Sequence, residues 1–212
     1  MAVPHPDKKA ALRPAGARGS AMVEMALMVS VAIPVLLGVA TLGVRLGRTL
    51  GGLQATRDVA HMYALGADFS LPGTQAIART LSRDFSLTSN GTGVLMLSRV
   101  IKVYQIDCNA AGVPGCPNLN QNVFTQRLTI GNTSLRSSSF GTPPSGYLDS
   151  QGNIRPSDYC QQASLVANGF DSLLAMQQGQ SAYLVEGYFS MPELSLSYFG
   201  SSSGGYYVRL LQ

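Results

Sequence analysis

Glu24 stands immediately before an apolar run, Met25 to Val44, and five positions after Gly19. A carboxylate inside hydrocarbon costs on the order of 2.5 to 3.5 kcal/mol at mid-bilayer and less near an end, so an acid there calls for a partner of opposite charge. A cut after Gly19 would make Ser20 the first residue of a new chain and Glu24 its fifth. The second chemical group is a set of three cysteines, Cys108, Cys116 and Cys160, whose types fit disulfide formation.

The element that positions Glu24 is the run itself. Its 20 residues, positions 25 to 44, span about 30 Å as a helix at about 1.5 Å per residue, the thickness of a hydrocarbon core. Upstream lie Lys8, Lys9, Arg13 and Arg18 against the single acid Asp7. That bias places the N-terminus in the cytoplasm and exports the rest, although Arg45 and Arg48 follow closely on the other side. Pro34 sits mid-run, where a missing N–H predicts a helix kink. Three fates are open to this terminus. Gly38-Val39-Ala40 has the small-x-small pattern of signal-peptidase cleavage, which would release Thr41 onward; the run is longer than an ordinary signal core. The second fate is a plain uncleaved anchor. The third is a leader cut after Gly19.

The segment Arg18-Gly19-Ser20-Ala21-Met22-Val23-Glu24-Met25-Ala26-Leu27 resembles the start of TadE-like pseudopilins, minor components of tight-adherence (Flp) pilus systems, and the resemblance is strongest from Arg18 to about Asp68. It implies a prepilin peptidase cutting between Gly19 and Ser20, and a Glu24 needed for assembly. A Ser20 ammonium buried beside Glu24 of a neighbouring subunit would neutralise both charges in a medium of low dielectric and set the axial register. The common type IV pattern has Phe first after the cut; Ser20 here points to the tight-adherence branch. The implied partners are the prepilin peptidase, other pilin or pseudopilin subunits, the inner-membrane assembly platform and the membrane itself. The implied location is the bacterial inner membrane, single-pass, with incorporation into a pilus. A membrane-anchored extracytoplasmic binding domain outside any filament, and a minor pseudopilin of type II secretion, remain alternatives.

Beyond Val44 the apolar positions Leu46, Leu50, Leu53, Val59 and Met62 keep helical spacing. One helix over 20–66 is expected, transmembrane over 25–44 and softened at Gly51-Gly52. Residues 67–212 then read as an exported α+β domain: a long N-terminal helix followed by a small antiparallel sheet with short helices. Thr74 to Phe85 predicts a helix with Ile77, Leu81 and Phe85 on one face. Strands are expected over Val94–Gln105, Val123–Ile130, Ala182–Ser190 and Tyr206–Leu211, the first two paired. In the second, Phe124, Leu128 and Ile130 should share one side and Thr125, Arg127 and Thr129 the other. Positions 131–156, rich in Ser, Gly and Pro, predict a long loop, and Ser157-Asp158 a cap for a helix through about Val166.

Among the cysteines, Cys108 and Cys116 flank a short Gly/Pro-containing loop and are the expected pair, worth about 2 to 3 kcal/mol. Cys160 is left as a buried thiol or an alternative partner. Spacings of eight and 44 without usable histidines fit no structural zinc site, so no metal or cofactor is expected. His61 is the only histidine outside the leader and would have to serve any Ser–His triad alone. Gly200 to Gly205 reads as a low-complexity loop without the Lys-Ser or Lys-Thr of a phosphate site. No catalytic residue is expected, and the protein reads as a non-enzyme. The net charge of +4 falls to +1 once Lys8, Lys9, Arg13, Arg18 and Asp7 are removed (4 − 3 = 1), and the other cations are scattered, which argues against nucleic acid.

Overall fold

The computed structural model describes residues 17–191 and 204–211, so most of the leader and of the Gly200–Gly205 stretch lies outside the described residues. The protein is α+β, a long N-terminal helix followed by a four-stranded antiparallel sheet and short helices. In chain order the elements are α1 (Ala17–Ala64), α2 (Pro72–Leu81), β1 (Gly93–Lys102), α3 (Gln105–Ala110), β2 (Asn122–Gly131), α4 (Pro156–Gln161), β3 (Ser181–Met191) and β4 (Gly204–Leu211). The chain divides into two compact units between Val44 and Arg45.

In the first unit, every side chain from Ala21 to Val44 except Gly38 and Thr41 is exposed. Mean hydropathy reaches 2.3 over 18 residues, and this helix is long and apolar enough to cross a membrane. The helix is unbroken across Pro34, whose missing N–H leaves the Ser30 carbonyl without its usual donor.

The second unit is built on a sheet of order β2-β1-β3-β4, every neighbouring pair antiparallel. One face carries Leu95, Leu97, Ile130, Val185 and Phe189, which pack with Val59, Ala60 and Tyr63 of α1 and Ala78 of α2. The other carries Val100, Phe124, Ala182 and Leu184, covered by Phe140, Ile154, Leu165, Phe170 and Met176. Both faces of the sheet are therefore buried, which explains why β1 is so nearly continuous in apolar residues.

Several expectations are corrected by this packing. Gly51-Gly52 does not soften α1; it lets the helix come close to the sheet, since a Cβ on Gly52 would lie 2.9 Å from the Phe189 ring. The α2 helix starts at Pro72 and ends at Leu81, and Ile77 is 49 % exposed while Ala78 takes the core position. Strand β1 stops at Lys102 because the Tyr104 N–H, bonded to Asp107 Oδ2 at 2.8 Å, opens the unpredicted α3. The α4 helix ends at Gln161, with Pro156 in its first turn and no side-chain cap. Segment 131–156 is a covering strap as much as a loop, since Phe140 and Ile154 are buried in the second face.

The largest correction concerns β2. Arg99 pairs with Gln126 but Val100 pairs with Phe124, so Thr125 is one residue too many. This β-bulge resets the two-residue alternation. Phe124 therefore belongs to the strap-covered face, while Leu128 and Ile130 pack with the helix face.

Candidate functional site

Three places in the described residues carry chemistry. The first is the start of α1. The Gly19–Ser20 peptide bond lies within its first turn, Glu24 is exposed one turn further, and Pro34 follows in the same helix. Residues four apart on a helix are neighbours, so an amine created at Ser20 would also fall within one turn of Glu24 on its own chain. Glu24 is the one acid or base from Ala21 to Val44, and that isolation separates it from the other acids of the chain.

The second is a sulfur cluster. Cys108, in α3, and Cys116, in the connection to β2, form a disulfide with Cα atoms 5.8 Å apart, the expected pair. Cys160, in α4, is buried and free. All three sulfurs lie within 4.8 Å of one another. Hydrogen bonds hold the elements together there: the Asn118 N–H donates to the Cys160 carbonyl at 3.2 Å, and Asn118 Nδ2 donates to the carbonyls of Tyr159 and Gln162. Burial pushes the Cys160 thiol pKa up, and the nearby Asp107 carboxylate adds to the shift. A protonated, enclosed thiol is a poor nucleophile.

The third place was not foreseen. Arg127 on β2 and Glu186 on β3 face each other across β1, with Arg127 Nη1 3.7 Å from Glu186 Oε2. Relative exposures of 5 % and 0 % make this a buried ion pair. Ser98 on β1 accepts from Arg127 Nη1, and Met96 Sδ lies 3.3 Å from Nη2. Glu186 in turn accepts from Ser138 Oγ, from the Ser139 N–H and Oγ, and from the Tyr207 hydroxyl. Burial pulls the Arg127 pKa down, and Glu186 opposes the shift. Burial, with the bond to Glu186, raises that of Tyr207. Each carboxylate oxygen is engaged, so this cluster ties β4 and the strap to the sheet and offers no vacant position for a substrate. Arg127 Nε is buried without a partner. The sequence signal was a single acid in the apolar run Tyr183-Leu184-Val185-Glu186-Gly187-Tyr188-Phe189, with a lone Arg in the alternating strand β2.

His61 is exposed on α1. Residues 200–204 do spell Gly-x-Ser-x-Gly, but a nucleophile elbow leads from a strand into a helix, whereas strand β4 follows here. Compared with protein-family models, curated proteins and solved structures, the chain matches none.

Proposed function

We propose that this protein is a minor pilin or pseudopilin of a tight-adherence pilus, held in the membrane by the first part of α1, with its N-terminus cytoplasmic, and cut by a prepilin peptidase after Gly19. Its contribution is non-enzymatic. The mature chain starts at Ser20, and the new ammonium pairs with Glu24 of an adjoining subunit as the helix trades lipid for packed neighbours. Lipid and packed helices are both apolar, so side-chain packing and charge pairing have to favour assembly. The observation that carries the reading is the placement of Glu24: a single acid, five residues after a glycine, on a helix that leaves its apolar side chains uncovered. An α+β unit with α1 packed along one sheet face is consistent with it.

Intact-mass measurement of the membrane-extracted protein tests the cut. A chain starting at Ser20 is expected; one starting at Met1 would leave a plain anchor, and one at Thr41 a secreted domain. Glu24→Ala in the native host tests the pairing. Processing should persist while fibre formation falls, and undiminished fibres would refute the assembly role.

A further inference from the structure

Among the described residues Arg99 is a half-buried cation with no acid within ion-pair distance. It sits on β1 at the bulge, where its Nε donates to Thr125 Oγ1 at 3.0 Å and Thr125 Oγ1 donates back to the Arg99 carbonyl at 3.2 Å. This reciprocal pair fixes one edge of the guanidinium. Among the described residues no carboxylate reaches it within 4.0 Å, and Nη1 and Nη2 have no hydrogen-bond partner. The contrast with Arg127, buried against Glu186, is direct. Bulges commonly re-aim a side chain toward a ligand.

Two adjoining hollows of about 210 and 350 Å³ share Arg99 and Asn153 in their walls. Tyr63 and Tyr183 line the first and Tyr159 the second. Arg99 lines both hollows and so stands in the wall that the Tyr63 side and the Tyr159 side have in common. Tyr63 is committed: its hydroxyl donates to Gln126 Oε1 at 2.9 Å, and its ring stands edge-on to Tyr183 at 5.2 Å, holding that half-buried ring in place. The hydroxyls of Tyr159 and Tyr183 and the Asn153 Oδ1 are unspent among the described residues. The groove thus presents one guanidinium fork, tyrosine faces and uncommitted hydroxyl and amide groups.

We propose that this groove binds a saccharide bearing a carboxylate, such as a uronic acid unit of an acidic polysaccharide. The two Nη atoms take the carboxylate in a bidentate pair, the geometry for which guanidinium is suited. Tyrosine combines an apolar ring with a polar tip and so matches a pyranose ring and its hydroxyls. A single cation suits a monoanion, and Asp68 in the wall of the first hollow disfavours a phosphate dianion. The site lies wholly within the unit after Val44 and is independent of how the N-terminus is processed.

Full-length protein in detergent micelles, titrated with trigalacturonate by calorimetry, tests the assignment. Binding in the micromolar to millimolar range is expected, with the methyl-esterified trimer at least about tenfold weaker. Arg99→Gln should lose at least about tenfold while still unfolding cooperatively, with only the small loss of stability that the missing bond to Thr125 brings, and Arg99→Lys should fall between. The ester comparison uses the wild-type protein and stands even if both variants fail to fold. No binding at about 10 mM trimer, or equal binding of the ester, would overturn the proposal. So would equal binding by a folded Arg99→Gln, or equal affinity for inorganic phosphate or for the carboxylate of an acetylated dipeptide.

Discussion

Arg127 and Glu186 lie on strands that never touch, yet their charged ends are 3.7 Å apart because Ser98 on the intervening β1 lets them meet over its small side chain. Removing one member leaves an uncompensated buried charge, which costs about 3 to 5 kcal/mol, whereas replacing both by apolar groups of similar volume is often neutral. Glu186→Ala should therefore lower the melting temperature by about 10 °C or more, and Arg127→Met with Glu186→Leu should recover most of it. A double variant no better than the single one would show that the hydrogen bonds from Ser138, Ser139 and Tyr207 matter more than the charge.

Stability should fall with alkaline pH. The thiol of Cys160 and the hydroxyls of Tyr63, Tyr159 and Tyr207 all have folded pKa values raised above their ordinary ones, chiefly by burial. Such groups stabilise fully below their unfolded pKa, and the contribution is lost as pH rises toward the folded one. Urea midpoints should thus be level from about pH 7 to 8, then decline from about pH 8.5, where an ordinary thiol begins to ionise, and more steeply above about 10, where tyrosines do. Cys160→Ser should remove only the first part of the decline.

The sulfur cluster predicts a specific rescue. In Cys108→Ser, Cys116 and Cys160 remain within 4.8 Å of each other, and non-reducing peptide mapping should find them bonded. Two free thiols after aerobic purification would show that α4 cannot release Cys160 to its neighbour.

Thr125 separates two effects at one position. Thr125→Ala loses the bonds to Arg99 and should cost about 0.5 to 1.5 kcal/mol. Deleting Thr125 removes the bulge and joins Phe124 directly to Gln126, so regular alternation keeps Phe124 opposite Val100 and on the face away from Leu128 and Ile130. Cooperative unfolding should therefore survive the deletion, with a melting curve like that of Thr125→Ala; its loss would refute the account of β2.

Overpacking should be equally legible at Gly52. Leucine there meets the Phe189 ring and is expected to destabilise by about 1 to 3 kcal/mol in chemical denaturation, with Phe189→Ala in the same chain relieving part of it.

How far this could be foreseen depended on how local each determinant is. The four strands and the Cys108–Cys116 pair are written in short runs and short loops, and the α+β architecture followed from them. The side on which Phe124 packs was not visible, since a bulge changes parity without changing composition. Nor was the role of Gly52, whose meaning comes from Phe189, 137 positions later (189 − 52). Arg127 read as solvent-facing because its counter-charge arrives from β3. The serine-rich strap read as a loop with little apolar surface to bury, yet Phe140 and Ile154 are both buried, Phe140 beneath Arg209, whose guanidinium carbon is 5.0 Å from the ring centre.

The order of the strands also dictates timing. β1 is central, but its inner neighbour β3 begins at Ser181, 79 positions after β1 ends (181 − 102), and distant pairings are slow to form because the loop entropy is lost first. Until that partner docks, Arg127 keeps its water. A chain folding from its amino end would complete the β1–β2 hairpin first and dehydrate that guanidinium only when β3 brings its acid.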